Sequence, residues 1–180
     1  MVEKTPSARE TRVLPLEFFN RPAATVARDL IGKTIVRALP STALSFTITE
    51  TEAYEGQHDL ACHSAKGRTA RTDVMFGVAG PFYVYRIYGL HWMLNIVTGD
   101  VNEAAAVLVR GVEGVNGPGR VAAALGIDSS VSGLPAVPAS GLWFERPEDT
   151  RPFRVLRTPR IGIDYAGPIW AAKKLRFVKA

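Results

Sequence analysis

The segment from Leu44 to Tyr54 constrains this chain more than any other. Leu44, Phe46 and Ile48 alternate with Ser45, Thr47 and Thr49, a period of two that a strand with one buried face satisfies. If the register runs on without a bulge, Glu50, Glu52 and Tyr54 continue the inward face. A carboxylate on the apolar side of a strand is costly unless it is paired or used, so the run points to a sheet and to chemistry together. Lys33 to Leu39 is a second β-rich run, and Pro40-Ser41-Thr42 between the two predicts a hairpin.

Further strands are expected in FYVYRIY and HWMLNIV, joined at Tyr88-Gly89-Leu90 with Tyr88 at the tip, and in 105–112, where Arg110 stands near the end. Shorter candidates lie at 142–145, 153–157 and 175–178. In NRPAATVARDLIG, Asn20 can cap a helix, Pro22 suits its first turn and Gly32 can close it; in NGPGRVAAALG, Pro118 and Gly126 bracket a second helix. Residues 55 to 81 show no periodicity and exceed an ordinary connector, which marks a functional loop. Runs of strands with few helices predict an α+β fold: a curved, mainly antiparallel, open barrel-like sheet with peripheral helices. A single domain is expected over 13–180, preceded by a disordered basic tail over 1–12.

With 47% hydrophobic and 22% charged residues the composition is globular rather than disordered. The net charge of +5 favours polyanionic partners. One cysteine, Cys62, excludes an internal disulfide framework and a four-cysteine zinc site, and fits a reducing compartment. Neither a secretory signal nor a membrane-spanning run is evident, so the expected location is intracellular: cytoplasmic and nucleoid-associated in a bacterium. His58, Asp59, Cys62 and His63 match no common zinc spacing, and Cys62 reads as a small core residue, so no metal site is expected there.

A site that excises a base needs a carboxylate to activate water, flat side chains to hold an extruded base, and a wedge to fill the gap in the stack. Glu52, then Tyr54, His63 and Tyr85, then Tyr88 supply these types within a short stretch. ETEAY at 50–54, HS at 63–64, MF at 75–76, YVYRIYG at 83–89 and LN at 94–95 resemble, in order and spacing, the alkyladenine (3-methyladenine) DNA glycosylase family. VLVR at 107–110, NGPGR at 116–120 and LRFV at 175–178 extend the resemblance over most of the chain after residue 14.

The resemblance implies a monofunctional glycosylase of base excision repair that acts, as a monomer and with no metal or other cofactor, on double-stranded DNA containing damaged purines. Glu52 would be the general base. Tyr54 would stack on one face of the flipped base, with His63 and Tyr85 on the other. Asn95 would exclude the 2-amino group of guanine, Tyr88 on its hairpin would intercalate, and Arg110 would help hold a phosphate and the attacking water. Arg68, Arg71 and Arg120, with Lys66, are candidate phosphate contacts. The connector over 111–116 is shorter than in fuller-length relatives, which could narrow the DNA footprint. The alternative is a non-catalytic nucleic-acid-binding module on the same sheet; a metal-dependent small-molecule hydrolase built on loop 55–81 is more distant. From the residues alone, Glu52 could be a paired strand carboxylate, the tyrosines half-buried sheet aromatics, and Asn95 an amide satisfied inside the sheet.

Overall fold

Helix α1 (Ala23–Leu30) places Ala23, Val26, Ala27 and Leu30 on one buried stripe, the spacing of a helix that packs by one face. Its N-cap is Pro22, with no side-chain cap, so Asn20 does not perform the expected role; Gly32, at φ +80°, turns the chain just beyond Ile31. In the computed structural model, which describes residues 12–148 and 151–180, that stripe lies on a sheet of nine strands. The expected tail falls outside the described residues except for Arg12. That residue belongs to the ordered fold: it forms an ion pair with Glu145 at 3.1 Å, and its carbonyl accepts from the Arg146 amide at 2.8 Å.

The strands are β1 (Thr34–Ala38), β2 (Ala43–Tyr54), β3 (Phe82–Ile87), β4 (His91–Thr98), β5 (Ala105–Val112), β6 (Val115–Asn116), β7 (Leu142–Glu145), β8 (Val155–Thr158) and β9 (Arg176–Lys179). They run β3-β4-β5-β2-β1-β7, with β6 on β5, β9 on β2 and β8 on β9, and every pairing is antiparallel. The fold is the expected α+β class, an open sheet with, among the described residues, three helices, the others being α2 (Pro118–Ala124) and α3 (Gly167–Ala172). The short 111–116 connector is a tight hairpin, in which Val112 pairs with Val115. No helix among the described residues is long and apolar enough to cross a membrane.

Helices α1 and α2 cover one face of the sheet. There Val26, Leu30, Val121 and Leu125 join Ile48, Ala53, Val107, Val109 and Ile96 in the main core. Phe144 anchors it, fully buried between Phe19 and Phe82 at centroid distances of 5.5 and 5.9 Å. The other face is roofed by loop 55–81, which includes two short 3-10 turns (His63–Lys66 and Asp73–Phe76), and by the segment leading into α3.

Candidate active site

The unbulged alternation expected along β2 does not hold. Register shifts between Ile48 and Glu50 and again between Glu50 and Thr51 against β5, and a bulge of this kind reverses which side chains face which side. Ile48 lies in the main core; beyond the bulge it is Ala53 that lies there, and the Thr51 hydroxyl donates to the Ala27 carbonyl of α1 at 2.7 Å. Glu50, Glu52 and Tyr54 therefore emerge on the opposite face from Ile48. Directly across from the bulge stands Gly111, where a Cβ would come within 2.9 Å of the Glu50 Cβ. The missing side chain leaves room for the acidic strand to kink.

Residues opposite one another in a ladder share a face. Tyr83 pairs with Asn95, Asn95 with Leu108, Leu108 with Glu52 and Glu52 with Arg176, one row across five strands. Most of the residues expected to hold the base thus converge on Glu52's face of the sheet. Tyr54, His63, Met75, Tyr85, Asn95 and Tyr165 line a cavity beneath loop 55–81. His63 meets Tyr85 edge-on, with ring centroids 4.5 Å apart. The Asn95 amide donates to the Tyr83 carbonyl at 3.1 Å, which fixes its direction.

Glu52 is 0% exposed and sits behind Tyr54, whose hydroxyl donates to Oε2 at 3.0 Å; the Ile161 amide donates to Oε1 at 2.9 Å. Burial pushes its carboxyl above the ordinary carboxylate value, against the pull of Arg110, the Ile161 amide and Tyr54. Arg110 Nε lies 2.8 Å from Glu50 Oε1 and 3.6 Å from Glu52 Oε1. The shorter approach is a charge contact without hydrogen-bond alignment. Arg176 donates to the same Glu50 oxygen at 2.5 Å, so Glu50 is the paired residue of the two acids.

Burial, then Arg71 and Lys66, brings the His63 pKa down to about 4, so the ring is neutral near pH 7. An arginine only donates. The His63 Nε2 that faces Arg71 Nη2 at 3.5 Å is therefore the acceptor, and the ring proton on Nδ1 donates to the Tyr83 hydroxyl at 2.9 Å. Burial likewise pushes the phenols of Tyr54, Tyr83 and Tyr85 up, leaving three neutral rings.

Among the other expected residues, Tyr88 stands at the tip of the β3–β4 hairpin, 90% exposed, and Arg120 lies exposed in the first turn of α2. Arg71 sits over the Tyr85 ring at 5.1 Å rather than on the outer surface alone, and Arg68 pairs with Asp73 at 2.6 Å. His58, Asp59 and Cys62 go separate ways. His58 packs on Trp170, Asp59 pairs with Arg160, and Cys62 lies in the apolar cluster beside Ser64.

Arg160, the Ile161 amide, Tyr165 and Arg176 also belong to this site, although the sequence pattern does not point to them. Only LRFV carried any signal for the last of these, and nothing in the one-dimensional pattern ties residue 160 to residues 52–59.

The family model for methylpurine-DNA glycosylase (MPG) matches residues 17–116 and 112–180. A protein of Myxococcus xanthus is 48% identical over 175 residues, covering 91% of this chain and 88% of its own length. Another, from Methanocella arvoryzae, is 41% identical over 175 residues, with 86% of each chain covered. A third, from Legionella pneumophila, is 40% identical over 173 residues, covering 92% of this chain and 93% of its own. All three bear the name "Putative 3-methyladenine DNA glycosylase". The family match takes in β2, the cavity and the Arg160 segment alike, and on it the chain belongs to the methylpurine-DNA glycosylase family, enzymes that hydrolyse N-glycosidic bonds in DNA.

Proposed function

We propose that this enzyme flips alkylated or deaminated purines (3-methyladenine, 7-methylguanine, hypoxanthine, ethenoadenine) out of duplex DNA and hydrolyses the N-glycosidic bond with water activated by Glu52. The observation that carries this reading is a buried, ionisable Glu52 hydrogen-bonded to a tyrosine that lines an aromatic cavity. Alkylation at N3 or N7 makes the purine cationic and a better leaving group. As the bond breaks, its electron pair leaves with the base and the sugar approaches an oxocarbenium ion. Glu52 stabilises that charge and takes a proton from the water whose oxygen bonds to C1′. The product is a free base and an abasic site.

Tyr54, His63 and Tyr85 form the slot. Stacking contributes about 1 to 3 kcal/mol per base, against a flipping cost of a few kcal/mol. Asn95, whose amide donates to the Tyr83 carbonyl, stands in the way of a guanine 2-amino group. Arg110 acts beside the carboxylates, while Arg71, Arg68 and Arg120 face the phosphates. Tyr88 serves as the wedge: it is a non-glycine residue at φ +49° on an exposed tip, and strain of this sort is retained where the tip's conformation matters. The protein acts as a monomer on double-stranded DNA.

Duplexes with one defined lesion test the reading. Release of 3-methyladenine as the free base is expected, without strand cleavage and without a borohydride-trapped adduct; a trapped adduct would mean an amine nucleophile and reject the water mechanism. For Tyr88→Ala the expected result is a large loss of base extrusion, read by a fluorescent base beside the lesion, with the fold unchanged. Extrusion equal to wild type would remove Tyr88 from the wedge role.

A further inference from the structure

We propose that Arg160, locked by Asp59, is a positioning residue that aims both hydrogen-bond donors of Glu52, an inference that rests on the reading of Glu52 as the base. Those donors are the Ile161 amide and the Tyr54 hydroxyl. Ile161 is 48% exposed and lies between strands, where an amide is a poor fixed donor unless something anchors it. The anchor is its neighbour. The Arg160 side chain is 0% exposed and grips Asp59, itself 0% exposed, with two parallel bonds of 2.5 and 2.9 Å.

The same guanidinium donates at 2.9 Å to the carbonyl of Ala53, the residue between Glu52 and Tyr54, and lies 4.7 Å from the centre of the Tyr54 ring. One planar group therefore sets the strand that carries the base, the ring that donates to it and the loop whose amide donates to it. Asp59 extends the clamp by accepting from the Glu55 and Ala61 amides, both at 3.0 Å, which closes the turn leading to His63. A buried ion pair is weak evidence for stability, since well-packed apolar residues often replace one without loss. Fork geometry is what apolar residues cannot reproduce.

The test uses the double variant Asp59→Leu/Arg160→Met, which removes both charges, alongside Arg160→Lys, which keeps the charge and loses the fork. Single-turnover excision, duplex affinity and thermal midpoint are measured across pH. The expected result is a folded double variant that binds lesion duplex normally. Its maximal rate falls about ten- to hundred-fold through misplacement of the base, and its acid limb moves to higher pH because Glu52 has lost donors to its charged form. Arg160→Lys should show the same two changes in smaller degree. If the double variant does not fold, Arg160→Lys decides by the same criteria. A folded variant with an unmoved acid limb overturns the proposal, whatever its rate. Glu52→Gln run in parallel separates the two levels: wild-type activity there removes the base assignment itself, whereas an inactive Glu52→Gln beside an unmoved limb removes only the clamp.

Discussion

Glu52→Gln is expected to lower the single-turnover release of 3-methyladenine by about 10²- to 10⁴-fold, the range that general base action supplies, while duplex binding stays close to wild type. The amide keeps the shape of the carboxylate and can still accept from the Ile161 amide, so the loss reports the missing base rather than a collapsed site. Stability should move the other way. Burial raises the Glu52 pKa above the ordinary value of a glutamate despite Arg110, Ile161 and Tyr54. The folded state then holds this proton more tightly than the unfolded chain does, so the stability contributed by Glu52 is fully present below its unfolded-state pKa and is lost as pH rises through the raised value. Removing the charge should accordingly raise the thermal midpoint at neutral pH and leave it unchanged in acid. Wild-type activity of the variant would reject Glu52 as the base, and a lower midpoint at neutral pH would contradict the electrostatic account. In the wild-type enzyme the rate should fall as pH drops through the same raised value, placing its acid limb above that of an ordinary carboxylate.

The second large effect is expected at Gly56, one turn before Asp59. Gly56 has φ +93°, and a Cβ there would come 2.2 Å from the Glu103 carbonyl oxygen, a backbone atom that no rotamer change can move aside. The Gly56 carbonyl also accepts from the Asp59 amide at 3.1 Å, so the turn that delivers Asp59 to Arg160 depends on this conformation. Gly56→Ala combines backbone strain of about 1 to 3 kcal/mol with overpacking of about 1 to 3 kcal/mol, a loss of roughly 2 to 6 kcal/mol. Urea denaturation should show a much lower midpoint, with excision falling alongside. Gly67 provides the control: its φ is +87° but nothing lies within 4 Å of an added Cβ, so Gly67→Ala should cost the backbone strain alone. Equal midpoints for the two variants would show that the approach of Glu103 is not what requires glycine at 56.

The alternation of apolar residues was enough to locate the β1–β2 and β3–β4 hairpins, because a half-buried strand leaves a period of two in its side chains whatever it later packs against. Its failure within β2 is equally physical. The bulge at Glu50 depends on the partner strand, on the space that Gly111 leaves there and on the two arginines that neutralise Glu50, and all of these are distant in the chain. The start of α1 shows a smaller version of the same problem. Asn20 has capping chemistry, but the backbone enters α1 at Pro22. Loop 55–81 was legible as functional through its length and composition, yet its packed interior was not, since it obeys no period.

What the sequence by itself determined is the set of chemical groups and the strands that carry them: a carboxylate on β2, tyrosines on β2 and β3, an asparagine on β4 and an arginine on β5. Periodicity and local turn chemistry act between near neighbours, so they can be read in one dimension. Which face those groups occupy, and what holds Glu52 in its buried place, only the tertiary structure decided. Arg160 reaches Asp59 across 101 positions of chain. That bond exists because folding brings two segments with no shared pattern into the same desolvated space, where an unpaired charge would be too costly to leave.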